Sequence, residues 1–236
     1  EIQSFNKKQI DSDSVLSLQF QMASSLLSDF RQGTKDTKQI FDVERLSSFF
    51  ALNDLFQAHH GARWNNIRLY FNPINNVFEP ISFDAQIRAM KPYLACNPAP
   101  SLITSYAPYF EDEDFYKLYL SKLVKYGNAS FFQSILDKYK EDIDEVTKLL
   151  KSEWPEYNPS YNRLIYENIN FIRSILRPGK FINSKLSIVK NELNLFVGNL
   201  QILPITNLHL KFPNDFKIAA KSNFILKGKK QNEILK

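Results

Sequence analysis

The chain has 236 residues, of which 44% are hydrophobic and 23% charged, and its 20 Phe and 11 Tyr supply ample apolar surface for a core, which excludes a disordered chain. Its formal net charge of +5 is concentrated between Lys221 and Lys236, a basic end that suits solubility better than a nucleic-acid surface. The single cysteine, Cys96, excludes a disulfide framework, and no apolar run approaches the ~20 residues that span a bilayer.

From Ser14, the apolar residues Val15, Leu18, Met22 and Leu26 recur at helical spacing, which predicts a helix to near Phe30, broken at Gly33-Thr34-Lys35-Asp36. Asp42 is placed to cap a second helix. In that helix Val43, Leu46, Phe49, Phe50, Ala51, Leu52, Leu55 and Phe56 spread apolar surface over most of the circumference, the pattern of a buried helix. After the polar run 58–66 the period becomes two, with Ile67, Leu69 and Phe71 alternating with Arg68, Tyr70 and Asn72. A turn at 72–76 and a returning strand at 77–83 predict a hairpin that ends at Asp84. Pro92, Pro98, Pro100 and Pro108 predict an irregular stretch without a continuous helix.

Helical spacing resumes at Glu111. It runs through Phe115, Leu118, Leu123 and Tyr126, then Phe131 to Tyr139, then Ile143, Val146, Leu149 and Leu150. After Trp154-Pro155 the clearest stripe follows, Tyr161 to Leu176, stopped by Pro178-Gly179. Alternation at Leu193, Leu195 and Val197, and again at Leu208, Leu210 and Phe212, predicts a β-rich tail. The expected fold is therefore α+β: a mainly helical unit, 1–182, carrying one hairpin, and a small antiparallel β region, 183–236.

The loop His59-His60-Gly61-Ala62-Arg63-Trp64-Asn65-Asn66 lies between the buried helix and the hairpin, with a carboxylate at the hairpin's far end. In protein kinases an Asn that closes such a loop and an Asp after the next hairpin coordinate the metal ions at the nucleotide phosphates, and hard oxygen ligands of this kind are what Mg²⁺ requires. A tight hairpin returns the second to the first despite their separation in sequence. Here the two are Asn66 and Asp84.

Together with Phe41-Asp42, Ala51-Leu52-Asn53-Asp54-Leu55-Phe56, Ala58-His59-His60, Arg63 through Pro73 and Phe78 through Asp84, this pattern resembles the CotH kinase family, relatives of spore coat protein H. The resemblance covers Phe41 to Asp84 and, loosely, the helices to Leu176. It implies the helical C-lobe of an atypical kinase that transfers phosphate from ATP to protein, with Asn66 and Asp84 binding ATP through Mg²⁺ or Mn²⁺. The family's strand-rich nucleotide-covering lobe is expected to precede Glu1, and without it this piece is expected to turn over little ATP.

Two positions depart from the family pattern. Gly61 stands where the catalytic Asp is carried, and Gln86 where a second acid often follows the metal-binding Asp. His60, beside the first of these, is the candidate acceptor of a hydroxyl proton. Arg63 is the candidate to hold a phosphate or Asp84, or else stacks on Trp64. Structural roles stand beside each: Asp84 can end a strand, Asn66 can brace the loop, Asp42 caps a helix, and Glu111 to Asp114 can face water at a helix start. His209, on an alternating segment, is read as no ligand.

Two function classes are therefore open. One is a CotH-like protein kinase acting on protein hydroxyls. The other is a catalytically inert, kinase-like module that docks on an envelope or coat protein, at the cell envelope, on a spore surface or outside the cell. Neither nucleic acid nor a membrane span in this piece is expected.

Overall fold

Side-chain oxygens start the first two helices, α1 (Lys7–Ser12) and α2 (Ser14–Arg31): Asp13 accepts the backbone N–H of Val15 at 2.9 Å and of Leu16 at 3.1 Å. The computed structural model describes residues 2–89, 91–189, 192–203 and 205. A short α3 (Thr37–Ile40) leads into α4 (Val43–Phe56), a 3₁₀ turn at His59–Ala62 and the hairpin β1 (Arg68–Asn72) and β2 (Val77–Ile81). Five helices follow, α5 (Ile103–Phe110), α6 (Glu113–Tyr126), α7 (Ala129–Lys138), α8 (Lys140–Glu153) and α9 (Tyr161–Leu176), then the strands β3 (Ile182–Val189) and β4 (Glu192–Asn199). The fold is α+β, with two antiparallel two-stranded sheets among the described residues. In the second sheet Ile182 pairs with Asn199 and Val189 with Glu192. The alternation at Leu208, Leu210 and Phe212, and His209, lie outside the described residues.

Helix α4 forms the axis of the core, packed by α6, α9 and β2. Leu46, Phe50, Ala51 and Leu55 are fully enclosed, and the Phe50 ring meets Tyr106, Tyr109, Phe110 and Phe115 at centroid distances of 5.1–6.2 Å. Each such ring contributes about 1.5–3 kcal/mol by burial alone. On α9 the buried Asn168 donates to the carbonyls of Leu55 (2.9 Å) and Arg88 (3.2 Å), tying the end of α4 to the chain that leaves the hairpin. The start of α4 is tied as well: Asp42 Oδ1 accepts the N–H of Arg45 at 3.0 Å as its cap, and the Asp42 N–H reaches Phe78 O at 2.9 Å in β2. The hairpin is thereby docked against the N-terminal end of α4, and Arg45 adds an ion pair to Glu79.

Three elements differ from their sequence pattern in instructive ways. Helix α2 is apolar on two sides, and its core side is Ala23, Leu27 and Phe30, whereas Val15, Leu18 and Met22 are exposed. Helix α5 runs through Pro108. The missing N–H at 108 leaves the carbonyl of Thr104 without its helical donor, and the indole N–H of Trp64 takes that place at 3.2 Å. Helix α8 forms where the periodicity predicts it, yet buries no residue, and its Ile143, Val146 and Leu149 are exposed. No helix among the described residues is long and apolar enough to cross a membrane.

Candidate functional site

Helix α4 stops because Gln57 adopts the left-handed region (φ 53°), with its side chain holding the turn: Nε2 donates to Asp54 O at 3.2 Å and Oε1 accepts Lys91 N at 3.1 Å. The chain thus enters the 58–66 loop at a fixed angle. That loop closes on itself through backbone bonds, with Asn66 N to Arg63 O at 2.8 Å and Ile67 N to Arg63 O at 2.7 Å. At the other end of the hairpin Asp84 also takes the left-handed region (φ 50°), which Asp tolerates better than most residues.

The hairpin brings three sequence candidates together. Asp84 Oδ2 lies 2.9 Å from His60 Nε2 and 3.4 Å from Asn66 Nδ2, and Asn66 Nδ2 also reaches His60 O at 3.3 Å. The His60 and Asp84 side chains are 42% and 36% exposed, so the pair contributes at most about 1 kcal/mol to stability and remains open to a ligand. Asp84 Oδ1 takes no hydrogen bond from a described residue. The Asn66 amide presents its N–H₂ edge to Asp84, and a half-turn of that amide puts two oxygens at one point. Among the described residues no group of three or more His, Cys, Asp and Glu side chains is gathered for a metal. A cation at this point would therefore rest on Asp84 and Asn66, with His60 beside them.

Arg63 is exposed, and no described residue pairs with its guanidinium. The guanidinium over the Trp64 ring belongs to Arg31, 5.9 Å from the ring centroid. Gln86 holds Arg88 through a 2.6 Å hydrogen bond. Of the acidic run, Asp112 caps α6 and also accepts Lys38 N at 3.0 Å, while Asp114 pairs with Lys38 Nζ at 2.8 Å.

Gly61 has a steric reason to be glycine. A Cβ at this position would stand 2.4 Å from the carbonyl oxygen of Phe83, the residue before Asp84. The loop and the exit of the hairpin therefore touch backbone to backbone, and no acid fits at position 61 without moving that exit. Gly61→Ala is expected to lower the unfolding free energy by about 1–3 kcal/mol in a urea titration. Wild-type stability for this variant would contradict the close approach.

Sequence reasoning missed a second cluster, buried directly beneath the loop. Asp54 is fully enclosed, its Oδ2 accepting the hydroxyl of Tyr119 at 2.6 Å and its Oδ1 the N–H of Ala95 at 2.8 Å. His59 Nε2 stands 3.5 Å from Asp54 Oδ1, too far for a good hydrogen bond, and has no closer partner. The Tyr106 hydroxyl donates to His59 O at 2.9 Å. Burial pushes Asp54 up to about 7 and His59 down to about 3, so the enclosed pair favours a protonated carboxyl beside a neutral imidazole. A signal for this cluster does exist in the sequence. Asp54 falls within the apolar run that marks α4 as buried, and a carboxylate there must find partners.

Two concave regions lie against the hairpin. One, of about 790 Å³, runs along β1 and α2; the other, of about 450 Å³, lies between α4 and the end of β2. Neither is lined by His60, Asn66 or Asp84. Comparison with protein-family models, with curated proteins and with solved structures finds no match to this chain.

Proposed function

We propose that the chain is the helical lobe of a CotH-like atypical protein kinase, in which Asp84 and Asn66 hold a divalent cation at the phosphates of ATP and the phosphoryl acceptor is a protein hydroxyl. The observation that carries this reading is the meeting of Asp84 with His60 and Asn66 at 2.9 and 3.4 Å, across a hairpin docked on a buried helix. Three polar side chains converge at a site exposed enough that their mutual contacts add little stability, which supports a role in handling a ligand. When bound, Mg²⁺ or Mn²⁺ supplies charge stabilisation to the transferring phosphoryl group. Asp84 offers the carboxylate for it, and Asn66 the amide oxygen once its side chain turns. With Nε2–H donated to Asp84, His60 keeps Nδ1 as its proton acceptor, suited to take the proton of an attacking hydroxyl.

One observation favours a second reading, an inert kinase-like docking module. The contact of Gly61 with Phe83 O excludes an acidic base from the position where the family carries one, so the acid is not merely absent but sterically barred. Incubation of the full-length protein, not of this piece alone, with γ-labelled ATP, a protein acceptor and Mg²⁺ or Mn²⁺ decides between the two. Metal-dependent labelling of protein supports the kinase. No transfer with either metal leaves the docking module.

A further inference from the structure

The groove along β1 has fixed walls. The Trp64 ring stacks on Tyr109 (centroids 5.6 Å apart, planes 23° apart) and is pinned by its indole N–H bond to Thr104 O. Phe71 and Phe78 meet ring to ring at 5.2 Å. A volume of about 790 Å³ is the size that takes a small organic molecule. Its charged lining consists of Arg31 and Arg68, with no acidic residue. Neither guanidinium has a carboxylate partner among the described residues. Arg68 uses Nη1 on the carbonyls of Asn66 (2.9 Å) and Ile67 (3.3 Å), while Nη2 and Nε have no hydrogen bond from this group of residues. The Arg68 guanidinium lies over the Phe83 ring at 4.7 Å and the Phe5 ring at 5.6 Å, and two cations without an acidic partner above an apolar floor attract an anion that also carries hydrocarbon.

We propose that this groove binds an amphiphilic organic anion, its carboxylate or phosphate head held by Arg31 and Arg68 and its apolar body laid against Phe20, Leu27, Leu69 and Phe71. The inference stands apart from the phosphoryl-transfer reading and uses none of its residues.

Trp64 is a built-in probe, since the chain has only two tryptophans and the other, Trp154, is exposed and remote in sequence. In a Trp154→Phe background, dodecanoate and dodecyl phosphate are titrated below their micelle-forming concentrations and the Trp64 emission is followed. A saturable shift with either anion is expected, and the tighter of the two identifies the head group. Dodecanol should produce none. Arg68→Met should weaken binding about tenfold, as the loss of a charge-assisted hydrogen bond does, and the exposed Arg31→Met a few-fold. Because Arg68 also braces the loop carbonyls, its far-UV circular dichroism is compared with wild type, and Arg31→Met provides an arm free of that role. No saturable shift with either anion overturns the proposal. So does dodecanol binding as tightly as dodecanoate, or wild-type affinity in both arginine variants.

Discussion

In the full-length protein, replacing Asp84 by Ala is expected to remove phosphoryl transfer almost completely, whereas His60→Ala is expected to cost at most about 10²–10⁴-fold. The two differ because they remove different contributions. A general base can be partly replaced by water, and its typical contribution is limited to that range. On the proposed reading the carboxylate would hold the cation and has no substitute, because the charge that develops on the phosphoryl oxygens is stabilised chiefly by preorganised electrostatics. Asp84→Asn sharpens the test, since it keeps the size and most of the hydrogen-bonding capacity while deleting the charge, and it should be as inactive as Asp84→Ala. Neither variant should unfold the protein, because the Asp84 side chain is 36% exposed and its pair with His60 contributes at most about 1 kcal/mol. Radiolabel transfer, measured beside a urea titration, separates lost chemistry from lost structure. Activity within tenfold of wild type in Asp84→Ala would remove Asp84 from the mechanism.

The largest effect on stability is expected at Asp54. Asp54→Ala leaves the Tyr119 hydroxyl and the Ala95 N–H without their acceptor in a sealed interior, and should lower the unfolding free energy by about 2–6 kcal/mol, the cost of two unsatisfied buried donors. The pH dependence carries the more specific signature. Asp54 is raised to about 7 in the fold, and an unfolded Asp titrates near ~3.9; His59 is lowered to about 3, and an unfolded His titrates near ~6.5. Between about pH 4 and 6.5 the unfolded chain holds one proton on His59 and the folded chain one on Asp54. The pair therefore binds the same number of protons in both states and contributes no slope in that window.

Breaking the pair exposes each half. In His59→Gln the raised carboxyl remains, so its stabilisation is complete below about pH 4 and is lost as pH rises through about 7. In Asp54→Asn the lowered imidazole remains, and stability instead rises with pH from about 3 to 6.5. Each slope approaches about 1.4 kcal/mol per pH unit, in opposite directions. Urea titrations of both variants from pH 4 to 7, each referred to wild type, measure this directly. Two curves parallel to wild type would mean that the enclosed pair does not titrate as described.

The helices were legible because a 3.6-residue period survives in α2, α4, α6 and α9, and the hairpin because the period switches to two at Ile67. What periodicity cannot tell is which of two apolar stripes faces inward. Leu27 and Phe30 of α2 meet the aromatic cluster of Phe41 and Tyr109, while Val15 and Leu18 do not, and that outcome depends on partners far along the chain. Pro108 misled for a similar reason, because the carbonyl it orphans is satisfied by Trp64, 40 residues earlier in sequence order. In the candidate site, the approach of Asn66 and Asp84 could be read from their order around a hairpin. The role of Gly61 could not, since its cause is a carbonyl 22 positions away, at Phe83. The enclosure of Asp54 and His59 likewise needs Tyr119 and Ala95, which only the packing of α6 and the 93–97 segment against α4 supplies.

The claim that Asp84 and Asn66 hold a divalent cation is tested most directly by counting Mn²⁺ bound to the chain by electron paramagnetic resonance, with wild type and Asp84→Ala titrated in parallel. One bound Mn²⁺ per chain in wild type is the expected result, accompanied by selective paramagnetic broadening of the His60 imidazole protons ahead of those of the enclosed His59, and with both signals lost in Asp84→Ala. Equal Mn²⁺ binding by the two proteins, or broadening that spares His60, would contradict it.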